Sequence, residues 1–283
     1  MARVWTQPKS LLAPPQGNSR AARSIVCFHG AESHSGWFGP FALDALDTGC
    51  WSAVIAGDRP GWRGDLRSRD EAYAWIRRSL TEARRDQGDG HVMDVIATSW
   101  GGLAVLACLV DDPSAGWEGV KTIHLVAPGI FPERNLQKLM FLGAFKDSLR
   151  GRGFLSGRLR TMLEPSDFSD NPDLCAWLAA DFSRNTELSP AFWLVTARMR
   201  RLVRDAIMER RLQSRLRDAG IQLFLHLAQD DSIIDLPRTE ALLNHAGAKI
   251  FRYPSRCHAI VMQYPGPCAR AMESCLIDPG GEA

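Results

Sequence analysis

The chain has 283 residues, 45% of them apolar and 23% charged, which is enough to bury a core without disulfide or metal staples and excludes a disordered chain. Its 34 Lys and Arg against 32 Asp and Glu give a formal net charge of +2, which leaves no electrostatic footprint for nucleic acid. Seven cysteines with no C-x-x-C pair, a polar N-terminus and the lack of a long apolar run predict a soluble cytoplasmic chain with reduced thiols, no signal peptide and no membrane span.

The first twenty residues, with Pro8, Pro14, Pro15 and Gly17, read as a loose lead-in. Buried strands are predicted at Ser24 to Phe28 and Ser52 to Ala56, then a helix over Arg69 to Arg85 and a strand over Val92 to Ala97. A helix over Gly101 to Val110 and a strand over Lys121 to Val126 follow. From Phe131 to about Asp205 no strand-like run occurs, and turns such as Glu164-Pro165-Ser166-Asp167 separate stretches of helical spacing. These stretches are rich in bulky groups, among them Phe141, Phe145, Phe154, Trp177, Phe182 and Trp193, and read as a helical insertion lying over the sheet. The alternation resumes with a strand over Ile221 to Leu227, a helix over Arg238 to His245 and a strand over Ala248 to Tyr253. It predicts an α/β fold with a mostly parallel sheet, whose active sites lie at the carboxyl ends of the strands.

The strongest local signal is Val92-Met93-Asp94-Val95-Ile96-Ala97-Thr98-Ser99-Trp100-Gly101-Gly102, a strand running through a serine into glycines and a helix. That is the setting of a nucleophile elbow, where small residues flank a strained serine because strand and helix backbones crowd together. Ala97 stands where the first glycine of G-x-S-x-G would be; the alternative for Ser99 is a plain helix cap. A serine hydroxyl needs a base, and the base needs an orienting acid. His258, in the loop after the last strand, is the best base candidate among the seven histidines. His124 and His226 fall inside strand patterns, and His91 and His245 read as surface or capping residues. For the acid, Asp230, Asp231 and Asp235 follow the preceding strand; Asp231 is favoured because Ile233 and Ile234 would anchor its loop. Oxyanion donors are expected at the backbone N–H of Trp100 and of Ala31, in the loop His29-Gly30-Ala31-Glu32-Ser33-His34. The histidine spacings fit no zinc site, so no metal and no cofactor are expected.

Together these segments resemble the α/β-hydrolase superfamily and, within it, the monoacylglycerol lipase and bacterial lysophospholipase group. His29 to Phe38 is similar to that group's H-G-x-x-E-H-S-x-R-Y loop, Asp58-Arg59-Pro60-Gly61 with Gly64 to its D-x-x-G-x-G turn, and Ala97 to Gly102 to its G-H-S-x-G-G elbow. Asp231 to Asp235 resembles its acid loop, and Phe168 to Pro172 with Asn185 to Arg201 resembles its cap. The resemblance implies an α/β-hydrolase fold with an inserted helical cap: a catalytic core of 1–130 and 206–283, and a cap of 131–205. It implies Ser99 as nucleophile, His258 as general base and then acid, Asp231 as orienter, and Ala31 and Trp100 as oxyanion donors. The bulk of Trp100 is expected to narrow the acyl pocket.

The expected activity is hydrolysis of a carboxylic ester, lipid-like, such as a monoacylglycerol or lysophospholipid. The near-zero net charge suits an uncharged substrate. Alternatives are an amide or aminoacyl-peptide hydrolase on the same fold, which should show acidic residues for the substrate amine, and a degenerate hydrolase that binds a ligand without turnover. The partner is a small-molecule ester, with no nucleic acid; the oligomeric state is open. The arginines from Arg198 to Arg217 read as a solvated helix face, or else as peripheral contact with anionic lipid headgroups. Gly151 to Gly157 superficially resembles a phosphate loop, but its spacing is wrong and no strand precedes it.

Overall fold

The computed structural model describes residues 23–59, 66–87, 90–112, 116–133, 159–254 and 256–277. In chain order the elements are β1 (Arg23–Phe28), a 3-10 turn (Ser35–Phe38), α1 (Gly39–Asp47), β2 (Ala53–Ala56) and α2 (Arg69–Gln87). Next come β3 (Val92–Thr98), α3 (Trp100–Asp111), β4 (Val120–Val126), β5 (Leu159–Arg160), α4 (Pro165–Phe168), α5 (Pro172–Ala180) and β6 (Glu187–Leu188). The last are α6 (Pro190–Met208), α7 (Arg211–Ala219), β7 (Gln222–Ala228), α8 (Leu236–His245), β8 (Lys249–Tyr253), α9 (Ile260–Gln263) and α10 (Pro265–Ile277).

Six strands form one sheet in the order β2-β1-β3-β4-β7-β8, every neighbouring pair parallel. Parallel strands are covered on both faces, so they read as continuous apolar runs rather than alternating ones. Val95, Ile96 and Ala97 of β3, and Ile123 and Leu125 of β4, are fully buried. The six expected strands are all present, their ends moved by a residue. The chain steps from β1 outward to β2, then back across β1 to β3. The carboxyl ends of β1 and β3 therefore flank a switch in winding direction, where open α/β sheets form a crevice.

The expectation of no strand between Phe131 and Asp205 is corrected: β5 and β6 form a two-residue antiparallel ladder, Leu159 with Leu188 and Arg160 with Glu187. Two residues are too few to show a period of two, which is why the sequence pattern does not reveal them. The helix α6 begins with Pro190, whose missing N–H is not needed at a helix start, and Ser189 Oγ accepts from Phe192 N at 3.1 Å. It ends where Arg210 takes a left-handed conformation, φ 58°, so one continuous helix crosses the position expected to separate cap from core. It packs against α3, tying that region to the helix that follows the elbow. The Pro-rich lead-in, Gly61 and Gly64 of the expected turn, Phe141, Phe145, Phe154 and the loop Gly151 to Gly157 lie outside the described residues. Among the described residues no helix is long and apolar enough to cross a membrane.

Two polar groups sit inside the sheet. At the strand starts, Asp94 is fully buried and accepts from Arg23 Nη2 (2.7 Å), Trp51 Nε1 (2.7 Å) and Thr122 Oγ1 (2.6 Å). Across β4, β7 and β8, His124 Nδ1 lies 3.0 Å from His226 Nε2, and His226 Nδ1 lies 2.8 Å from Tyr253 Oη. Burial lowers His124 to about 3 and takes His226 well below its ordinary value, so both imidazoles are neutral. His91, expected at the surface, is buried.

Candidate active site

β3 ends at Thr98, and the chain reverses into α3 through Ser99, held at φ 49° and ψ −117°. A side chain in that region is strained, and the surroundings enforce it. Ser99 N donates to Val126 O at 2.8 Å, and Ser99 O accepts from Gly129 N at 2.9 Å. The helix then passes so close to β1 that a Cβ on Gly101 would lie 2.5 Å from Phe28 O and 2.6 Å from His29 O. Only glycine fits there. The side chain of Ser99 makes no capping bond to α3, which removes the plain helix-cap alternative. Instead Ser99 lines a cavity shared with Gly30, Ala31, Trp100 and His258.

Of the three carboxylates after β7, Asp231 is the one that meets the histidine: His258 Nδ1 lies 2.7 Å from Asp231 Oδ2, both side chains buried. Asp231 Oδ1 accepts from Ile233 N (2.8 Å) and Ile234 N (3.3 Å), and the two buried isoleucines anchor the loop. Asp230 is exposed, and Asp235 caps α8 by accepting from Arg238 N at 3.2 Å. A carboxylate can only accept, so Nδ1 of His258 carries a proton and Nε2 is left as the basic position. The backbone N–H groups of His258 and Ala259 both donate to Phe168 O, at 3.0 and 2.9 Å, which fixes this loop against α4.

Trp100 is the first residue of α3, so its N–H has no acceptor within the helix. Ala31 lies across the cavity in the loop after β1. That loop is braced from inside: Gly30 N donates to Ser33 Oγ (2.7 Å), and Arg59 Nη2 donates to Ala31 O (3.0 Å). His29 donates from Nδ1 to Gly30 O (2.9 Å) and accepts at Nε2 from Arg59 N (3.2 Å), a neutral tautomer. Burial and the nearby Arg59 lower it to about 3. It braces the loop from inside.

The cavity walls are mainly aromatic and aliphatic, with Phe168, Leu188, Phe192, Trp193, Ile233 and Val261 among them. The cavity volume is about 90 Å³, room for several waters. The ring of Trp100 packs against Trp75 (6.4 Å between centroids) and Phe192 (5.2 Å), and its Nε1 donates to Thr196 Oγ1 at 2.9 Å.

Two charged groups in the wall were not singled out from the sequence. Glu32 is buried, and Arg184 Nη2 approaches its carboxylate to 2.7 Å. Burial raises the Glu32 carboxyl against the opposing pull of Arg184. Asn185 N donates to Glu32 O at 2.8 Å, and nearby Asp181 accepts from His34 Nε2 (3.1 Å) and Trp37 Nε1 (2.9 Å). Arg200 is the second group, and its Nε donates to Gly129 O at 2.8 Å. The rest of the arginine run from Arg198 to Arg217 is exposed, apart from half-buried Arg204. Arg200 repeats the spacing of Phe192 and Thr196 on α6, a signal the uniform run of arginines hides. Among the described residues no group of three or more His, Cys, Asp or Glu could hold a metal ion.

The family described as serine aminopeptidase, S33, matches residues 19–263. The chain belongs to this α/β-hydrolase family. Similar solved structures include the monoacylglycerol lipase of Paleococcus ferrophilus, 19% identical over 95% of this hydrolase and 99% of that chain, TM-score 0.68. A soluble variant of monoglyceride lipase from Saccharomyces cerevisiae, in complex with a substrate analog, is 12% identical over 94% and 90%, TM-score 0.69. A lipase-esterase related protein from Clostridium acetobutylicum is 12% identical over 94% and 98%, TM-score 0.60. At these identities the likeness carries the fold of the hydrolase. No curated protein matches the hydrolase at a significant level.

Proposed function

We propose that the protein is a serine hydrolase that cleaves a carboxylic ester with an apolar acyl chain, such as a monoacylglycerol or lysophospholipid. The observation that carries the reading is the strained Ser99 opening into one cavity with His258, whose other face is held by Asp231 at 2.7 Å. In this mechanism Ser99 Oγ attacks the ester carbonyl while His258 Nε2 takes the hydroxyl proton. The carbonyl oxygen becomes an oxyanion held by the N–H groups of Ala31 and Trp100. Collapse breaks the ester C–O bond, His258 returns the proton to the leaving alcohol, and water then releases the acid from the acyl-enzyme by the same steps in reverse. Asp231 keeps the imidazole in the required tautomer and stabilises it while protonated. The apolar walls and narrow space of the cavity favour an unbranched chain.

Ser99→Ala is expected to lower ester hydrolysis by roughly 10⁴-fold or more and to abolish labelling by a fluorophosphonate probe, with the melting temperature unchanged. Retained activity in Ser99→Ala, together with an unlabelled Ser99 in the wild type, overturns the reading. A panel of esters of graded chain length run beside it fixes the acyl preference.

A second reading, hydrolysis of an aminoacyl amide, is favoured by one observation: an acidic residue, Glu32, in the cavity wall. Its charge is already met by Arg184, which weakens it as an amine ligand. Parallel assays of acyl esters and aminoacyl amides separate the two.

A further inference from the structure

Most charged side chains around the cavity already have a partner of opposite sign: Asp231 with His258, and Glu32 with Arg184. Two of the exposed arginines nearby are also paired, Arg201 with Asp205 and Arg211 with Glu209. Arg200 does not. Among the described residues no carboxylate lies within ion-pair distance of it, and its side chain spends only Nε, on Gly129 O. A guanidinium offers five N–H donors in a planar fork. Here the Nη edge is left over, and Arg200 lines the cavity beside Ser99 and Thr196.

A half-buried cation with no opposite charge beside it is unfavourable, and its neighbour aggravates this. Arg204 Nε lies 3.2 Å from Arg200 O, and burial together with that second cation lowers Arg200 to about 10. The position is close to the reacting serine, because Gly129, whose carbonyl accepts from Arg200, donates its own N–H to Ser99 O. A Leu or Met would fill the same place on α6 without this penalty. The overall charge of +2 says nothing of such a local field.

We infer that Arg200 is a specificity-determining residue that binds a carboxylate or phosphate carried by the substrate, on a short arm of either its acyl or its alcohol side. The inference rests on the ester-hydrolase reading and narrows its substrate class from neutral to anionic esters. A carboxylate would meet the fork with two parallel hydrogen bonds.

The test uses matched pairs. Monomethyl suberate against dimethyl suberate places the anion on the acyl side; a lysophosphatidate against the monoacylglycerol of the same chain places it on the alcohol side. Wild-type kcat/KM is expected to favour the anionic member of one pair by about 30-fold, the factor set by one charged hydrogen-bonded contact. The favoured pair identifies the side. Arg200→Gln is expected to bring that ratio close to one, and Arg200→Lys to retain part of it. Equal or reversed preference in both pairs overturns the inference and leaves ester hydrolysis standing. So does an Arg200→Gln variant that slows both members of a pair equally, which would make Arg200 a mere support for Gly129. Calorimetric binding of the same four compounds to Ser99→Ala needs no turnover. Tighter binding of an anionic member there, lost in the Ser99→Ala, Arg200→Gln double variant, upholds the anion site even if no ester is hydrolysed, and its absence overturns it. The wild-type comparison stands where Arg200→Gln does not fold.

Discussion

At the amino end of the sheet Asp94 accepts from Arg23, Trp51 and Thr122. At the carboxyl end the serine hydroxyl caps nothing, one imidazole nitrogen faces outward from its carboxylate, and a guanidinium keeps its Nη edge unspent. Both clusters are polar and both interrupt an apolar core. They differ in whether the protein itself completes their hydrogen bonds. Burying a polar group is tolerated when its partners are present, so a completed cluster serves the fold. An incomplete one is tolerated where a ligand can finish it, and that is the physical mark of the working end of this sheet.

Substitutions at the two ends should therefore fail differently. Asp231→Asn is expected to reduce kcat on the best ester by about 10⁴-fold with little change in urea midpoint. A comparable loss of stability would mean that Asp231 belongs with Asp94 as a structural group. Asp94→Ala should do the opposite, lowering unfolding free energy by about 3 kcal/mol because Arg23, Trp51 and Thr122 lose their acceptor together. The kcat/KM of the protein that remains folded should hold.

Acid separates the regions further. His29, at about 3, His124, at about 3, and His226, also lowered, are neutral in the fold. Their unfolded counterparts take up protons below about pH 6.5. Stability contributed by keeping them neutral is complete above that pH and is lost as pH falls toward 3, by about 1.4 kcal/mol per pH unit for each histidine. Urea unfolding at pH 7 and pH 5 should record the fall; a flat profile would overturn the neutral assignment. The smallest effect is expected at Arg201→Ala, within about 0.5 kcal/mol by thermal melting, since its pair with Asp205 is exposed.

The strands were legible because burial on both faces writes them as unbroken apolar runs, and the Ser99 turn because crowding demands Gly101. Asp231 could be preferred over its neighbours because Ile233 and Ile234 had to be buried somewhere. What stayed hidden depends on pairing across the fold. The β5–β6 ladder is too short to have a period, and Glu32 gains its meaning only when Arg184, 152 residues away, reaches it. Arg200 looks like any other arginine in a basic run until α6 is seen to place it in the wall of the cavity that holds Ser99.

The bond between Glu32 and Arg184 has a mechanical consequence. Separating a buried pair strands two charges, at about 3–5 kcal/mol, and Asn185 and Asp181 add further ties between the same two segments. The stretch around Arg184 and the loop bearing Ala31 are therefore tied to one another by an ion pair and several hydrogen bonds. Any displacement of one segment relative to the other must first separate that buried pair.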